Sequence, residues 1–165
     1  MGSDSPDGLS AWDASLPRKR MAASVLLFDE CGRVMVVEPT YKPHWDLPGG
    51  VVELGESPWD AGCREVKEEL GLDVLPRRLV AVDWVPPRPE RSEGLITVFD
   101  GGVLLPERVA GIALPAKELH SYAFVDLDGA RRLLSPLLAR RVESCLAALA
   151  VPGGPVYLEN GVPVS

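Results

Sequence analysis

Two apolar, valine-rich runs, Met21 to Phe28 and Arg33 to Glu38, are parted by the polar tetrapeptide Asp29-Glu30-Cys31-Gly32. Short runs of β-branched and apolar residues bounded by turn formers predict a β-hairpin. Gly50 to Glu53 offers a further short strand, and Leu79 to Val85, Leu95 to Leu105 and Ser121 to Val125 continue the series, with Pro86-Pro87-Arg88-Pro89 as a loop between the first two of these. Between them the period changes. Trp59, Cys63, Val66 and Leu70 gather on one side of a helical cylinder, and Leu138, Val142, Cys145, Leu146 and Leu149 repeat the spacing near the end of the chain. Strands mixed with two or three helices predict an α/β fold.

The helix ends are marked in the sequence. Ser57 suits the N-cap of the first helix, Pro58 its first position, Asp60 its first turn and Gly71 a left-handed stop. Ser135 and Pro136 open the last helix, and Pro152-Gly153-Gly154 closes it. Beyond it, Asn160-Gly161 between apolar residues signals a hairpin, and Pro163 confines any strand there to an edge. A docked tail and a loose tail both fit this pattern. Residues 1 to 17 are rich in Ser, Asp, Gly and Pro and predict a flexible leader, with Trp12 and Leu16 available to dock. The chain therefore divides into a leader over 1–17, one domain over 18–151 and a Pro/Gly-rich C-terminal tail over 152–165.

The polar side of the first helix changes the picture. At about 100° per residue, Glu65, Glu68 and Glu69 fall within roughly a 100° arc. Like charges three and four residues apart oppose helix formation, so the cluster gains nothing from folding alone. A hard divalent cation, which takes oxygen ligands, reverses that sign. Pro48, Gly49, Gly50 and Gly55 lie ahead of the helix, where backbone can turn tightly and approach a ligand.

The run from Gly50 to Leu72 resembles the Nudix box, G-x5-E-x7-R-E-U-x-E-E-x-G-U with U a bulky apolar residue. Gly50, Glu56, Arg64, Glu65, Val66, Glu68, Glu69, Gly71 and Leu72 fill every specified position. Trp45-Asp46-Leu47-Pro48-Gly49 is similar to the family's lead-in. The resemblance implies a Nudix-type α/β/α sandwich with a mixed sheet, hydrolysing a pyrophosphate bond in a nucleoside di- or triphosphate or a nucleoside diphosphate derivative with Mg²⁺ or Mn²⁺. It implies Glu65, Glu68 and Glu69 as metal ligands, joined by the Gly49 carbonyl, and a catalytic set of Glu56, Arg64, Glu65, Glu68 and Glu69. Arg64 holds a box glutamate by an ion pair, with Glu68 and Glu56 its candidate partners. The family's general base is either a box glutamate or a carboxylate from a downstream loop. Glu118 is the preferred outside candidate, and Asp100 and Glu107 compete with it.

Substrate contacts are read from residues around the Pro-Gly loop. Tyr41, Lys42 and Trp45 offer a stacking surface and a phosphate contact, and Arg88 and Arg91 can meet phosphate from the proline loop. Pro87 stands fifteen residues beyond Leu72, where ADP-ribose-cleaving members tend to carry proline, so an ADP-ribose pyrophosphatase is one specific variant. A non-catalytic Nudix-fold nucleotide sensor is the rival from another class; the intact carboxylate set argues against it. His44 and His120 lack metal-ligand spacing and read as structural or exposed.

Length and charge narrow the partners. A chain of 165 residues with 46% hydrophobic content fills a single core. A net charge of −7 opposes a broad grip on nucleic acid but suits a small nucleotide chelated by metal. Three cysteines without paired spacing predict a reducing cytoplasm. No apolar run approaches the ~18 residues of a membrane-spanning helix, so no membrane partner is expected. A homodimer is compatible with all of this.

Overall fold

The computed structural model describes residues 10 to 164. The first nine residues of the expected leader, and Ser165, lie outside them. In the rest of the leader Ser10 caps a five-residue helix, α1 (Ala11–Ser15), by accepting a hydrogen bond from Asp13 N–H at 3.1 Å. None of its residues is buried, and Trp12 is 71% exposed, so α1 forms without docking that ring on the body.

The hairpin is formed by β1 (Arg20–Phe28) and β2 (Val34–Pro39). Asp29 closes it: its Oδ1 accepts from Cys31 N–H at 3.0 Å and from Arg33 N–H at 2.8 Å. β3 (Gly49–Val51) follows, then α2 (Pro58–Leu70), β4 (Arg78–Val85) and β5 (Gly94–Val103). Next come α3 (Pro106–Ala110), β6 (Leu119–Val125), α4 (Leu127–Leu133), α5 (Pro136–Leu149), β7 (Val156–Glu159) and β8 (Val162–Pro163). The sheet runs β6-β2-β1-β5-β4-β7-β8, with β3 paired to β1 beside that path. It is mixed, because β1 pairs parallel with β5 and β4 with β7, while the other neighbours are antiparallel.

Alternation along β1 sends its side chains to two cores. Val25 and Leu27 pack with Val66 and Leu70 of α2 on one face. Leu26 packs with Ala139, Val142 and Cys145 of α5 on the other. Fully burying one such side chain contributes about 1.5–3 kcal/mol, so both faces drive the closure of an α/β/α sandwich.

Three features differ from the sequence reading or decide between its alternatives. The strand expected to reach Leu105 ends at Val103, because Pro106 has no N–H for the ladder and starts α3 instead. α4 is an additional helix, capped by Asp126, whose Oδ1 accepts from Gly129 N–H at 2.7 Å. The tail docks: β7 lies parallel to β4, Leu158 is fully buried, and Asn160 and Gly161 both take positive φ, 54° and 82°, in the hairpin turn to β8. Pro163 sits on the edge strand, where no ladder donor is missed. Among the described residues no helix is long and apolar enough to cross a membrane.

Candidate active site

α2 is held at both ends as its sequence predicts. Ser57 Oγ accepts from Asp60 N–H at 3.1 Å, and Gly71, at φ 72°, ends the helix with its N–H donating to Lys67 O at 2.9 Å. Ala61, Val66 and Leu70 are buried against the sheet, which leaves Arg64 and Glu65 partly open and Glu68 exposed. The preceding loop is pressed between β1 and this helix. Gly49 takes φ 141°, and a Cβ on it would stand 2.2 Å from Ala23 O. A Cβ on Gly50 would stand 2.3 Å from Glu65 Oε1, so the Glu65 carboxylate lies directly over the Gly50 backbone.

Arg64 gathers three of the box glutamates. Its Nε and Nη2 donate to the two oxygens of Glu56 at 2.8 and 3.0 Å, a bidentate pair. Nη1 donates to Glu65 Oε1 at 2.9 Å and Glu68 Oε2 at 3.0 Å, and Nη2 also reaches Val51 O at 3.1 Å. Both candidate partners, Glu56 and Glu68, are therefore engaged together with Glu65. Arg64, followed by the Glu53 N–H, holds the Glu56 carboxyl down at about 2. Glu65 is shifted the other way: burial raises it, and the Arg64 hydrogen bond only partly offsets that.

Glu69 stands apart from the arginine. Its hydrogen bond among the described residues comes from Gly49 N–H, at 3.0 Å. Burial pushes its carboxyl up to about 8, the Gly49 N–H pulls against that, and Glu65, Asp46 and Glu118 add negative charge around it. Glu118 lies in the turn before β6, and its charge reaches Glu69. Its carbonyl accepts from Thr40 N–H at 2.9 Å, and Thr40 Oγ1 donates to Lys117 O at 2.8 Å, tying this turn to the end of β2. The competing carboxylates are placed differently. Asp100 Oδ1 accepts from Gly102 N–H at 2.9 Å in β5, and Glu107 lies in α3, just past the C-terminal end of that strand. Asp46, which the sequence reading left out of the site, is the additional acidic neighbour.

Among the described residues no group of three or more His, Cys, Asp or Glu side chains converges as a ready cage for a metal ion. The reason is visible in the bonds: Arg64 draws Glu56, Glu65 and Glu68 to itself, and Gly49 draws Glu69. The donor set nevertheless fits a hard divalent cation. It consists of carboxylate oxygens in excess over a single arginine, and Glu69 resists ionisation with no cation beside it.

On the other side of Gly49 and Gly50 opens a cleft of about 350 Å³. Tyr41, Lys42, Trp45 and Arg88, all expected at the substrate, line it. Tyr41 is 76% exposed, with Lys42 Nζ 5.6 Å from its ring centroid, and Lys42 pairs with Asp46. Trp45 also packs against the α5 core, so it serves both the cleft and the fold. Arg20, His44, Arg91 and Arg141 line the cleft as well. Of these, Arg20 and Arg141 escaped the sequence reading. The alternation of Arg20, Ala22 and Ser24 along β1, all three on the cleft side, is the signal that marks the first of them.

A capped helix of carboxylates, laid on a mixed sheet and joined to a cationic cleft through two glycines, defines the α/β/α sandwich class built around a helix-borne acidic box. The NUDIX domain family model matches residues 18–154, and the chain belongs to that family. It is 38% identical over 93 residues to the ADP-ribose pyrophosphatase of Methanocaldococcus jannaschii, covering 56% of this chain and 52% of that protein. It is 34% identical over 61 residues to the 8-oxo-dGTP diphosphatase of Proteus vulgaris, covering 34% of this chain and 54% of that one. The chain spans from 24% to 54% of the length of curated relatives it matches. The crystal structure of the MutT protein from Methanosarcina mazei Go1 shares the fold with a TM-score of 0.66 at 22% identity, over 82% of this chain and 97% of that chain.

Proposed function

We propose that this protein hydrolyses a pyrophosphate bond in a nucleoside di- or triphosphate, or in a nucleoside diphosphate derivative, with Mg²⁺ or Mn²⁺. The observation that carries the reading is the junction at Gly49 and Gly50, where the carboxylates of α2 meet a cleft lined by cationic and aromatic side chains. A bound divalent cation supplies charge neutralisation on the bridging phosphates and a more acidic water. Glu65, Glu68 and Glu69, with the Gly49 carbonyl, would hold it. Arg64 is a positioning residue that aligns Glu56, Glu65 and Glu68 through its five donors. Glu118 takes the proton from the attacking water, a role supported by the action of its charge on Glu69. Tyr41 and Trp45 stack on the base or sugar, and Lys42 and Arg88 contact phosphate.

ADP-ribose is the specific substrate favoured by two observations: the name of the Methanocaldococcus jannaschii relative, and the position of Pro87 in the proline turn whose neighbours Pro86 and Arg88 line the cleft. A panel of dNTPs, oxidised nucleotides, ADP-ribose, nucleotide sugars and dinucleotides, assayed for phosphate or monophosphate release with Mg²⁺, tests the reading. Glu69→Gln is expected to lower turnover on the order of 10²–10³-fold, the usual scale for removing one stabiliser of transition-state charge. Wild type no faster than Glu69→Gln on every substrate, with tight nucleotide binding retained, makes the protein a sensor instead. Unchanged turnover in Glu118→Gln removes that residue as the base.

A further inference from the structure

The cationic residues of the cleft are not equally satisfied. Lys42 is paired with Asp46, and Arg141 with Asp83. Arg20, Arg88 and Arg91, which line the same cleft, make no ion pair among the described residues. Arg88 and Arg91 are instead held through their backbones, exchanging N–H to O hydrogen bonds of 2.8 and 3.1 Å that close the turn between β4 and β5. Arg20 lies across Gly94, its register partner on β5, so closely that a Cβ there would stand 2.8 Å from Nη2. Its Nη2 has a long hydrogen bond, 3.4 Å, to Ser92 O, and its Nε is buried without a partner.

A shortage of acid does not explain this. The chain has 24 acidic and 17 basic residues, and Glu93 stands next to Ser92. Yet Glu93 is turned elsewhere, accepting from Lys19 Nζ at 2.6 Å and Trp84 Nε1 at 2.7 Å. Burial, and then the charge of Arg91, lower the Arg20 guanidinium from its ordinary value, so Arg20 and Arg91 repel one another. Three guanidinium groups along one cleft with no carboxylate partner among the described residues are relieved by an oxyanion with several acceptors. Arg20 is three residues from Ala23, the register partner of Gly50, which puts it about 10 Å along the strand from the glycine junction.

We propose that Arg20, Arg88 and Arg91 form a phosphate site that selects substrates bearing a second phosphate, on the sugar beyond the diphosphate bridge. The proposal rests on the pyrophosphohydrolase reading for the direction in which substrate lies in the cleft. Arg20 is its specificity-determining residue, prepositioned by Gly94, and Arg91 supplies the second charge. The site favours a phosphomonoester because its two charges meet two or three guanidinium groups, whereas a neutral hydroxyl offsets none of that positive charge.

Calorimetric titration in EDTA, where no turnover occurs, tests this with AMP, adenosine 2′,5′-bisphosphate and adenosine 3′,5′-bisphosphate as probes. One bisphosphate is expected to bind wild type roughly tenfold or more tightly than AMP, a gain of about 1.4 kcal/mol. Arg91→Ala, on an exposed turn, and Arg20→Met are expected each to abolish most of that advantage while leaving AMP affinity in place. Equal affinities for AMP and both bisphosphates, no binding of either bisphosphate, or an advantage retained in both variants overturns the proposal. Because the readout needs neither metal nor hydrolysis, absence of turnover on every nucleotide refutes the enzymatic reading without altering this result.

Discussion

Arg64 and Arg141 each hold carboxylates, in opposite surroundings. Arg64 is 26% exposed at its side chain and serves three glutamates and a carbonyl at the mouth of the α2 cluster. Arg141 is 5% exposed, and its Nε donates to Asp83 Oδ2 at 2.7 Å, while Asp83 Oδ1, wholly buried, accepts from Gly161 N–H at 3.0 Å. The first arginine keeps an excess of negative charge in order. The second closes a neutral, sealed pair that ties α5 and the tail to β4. A half-exposed network contributes little to stability, whereas a buried pair becomes costly once one partner is removed. Density of ion pairs therefore marks the candidate site here, and depth of burial marks the structural pair.

Removing Asp83 is the largest way to sharpen that contrast. Asp83→Ala strands the Arg141 charge and is expected to lower unfolding free energy by about 3–5 kcal/mol in urea titrations. Adding Arg141→Met to the same chain is expected to recover most of it. A cost for Asp83→Ala below about 1 kcal/mol, the range of surface pairs, erases the distinction. Arg64→Lys keeps the charge and loses the fork. It is expected to reduce activity roughly 10–100-fold, as loss of groups that orient metal ligands does, with a stability change under about 1 kcal/mol. If its urea midpoint falls as far as that of Asp83→Ala, the cluster is structural.

A smaller effect follows from Glu69. In the folded, metal-free protein its carboxyl is pushed to about 8 by burial, above the ordinary value near 4.3 of an unfolded chain. Between those values the folded state binds the extra proton, so stability is complete below pH ~4.3 and is lost as pH rises through about 8. Glu65, also raised by burial, acts in the same direction. Glu56, depressed by Arg64 to about 2, has its window at acid pH, where its stabilisation is lost as pH falls. Thermal melts in EDTA from pH 5 to 8 should therefore slope downward for wild type and less steeply for Glu69→Gln; parallel curves contradict the assignment.

The same two arginines show what a sequence discloses. Arg64, its glutamates, the Ser57 cap and the Gly71 stop all lie within twenty residues; helical geometry makes the caps and the Glu65, Glu68 and Glu69 patch legible, while the ion pair from Arg64 to Glu56, which precedes the helix, was legible only through the resemblance to the Nudix box. Asp83 and Arg141 are 58 residues apart. The spacing of Val142 and Cys145 reveals the buried stripe of α5 but carries no sign that the adjacent arginine turns inward to an acid on another element. The tail is similar. Asn160-Gly161 announces its turn, whereas the strand it returns along, β4, is fixed only by tertiary packing and by Asp83. Arg20 was hidden for a third reason: it opens an apolar strand, and its meaning depends on Gly94 lying opposite on β5. α4 went unread because Asp126 caps a helix of only seven residues, too short to show a period.

Binding of Mn²⁺, followed by the loss of the free-ion electron paramagnetic resonance signal, addresses the carboxylate helix most directly. Wild type and the pair Asp83→Ala/Arg141→Met should bind the ion alike, while Glu69→Gln weakens binding roughly 10–100-fold. Equal Mn²⁺ affinity in wild type and Glu69→Gln, or no binding in wild type, contradicts the placement of the cation on α2.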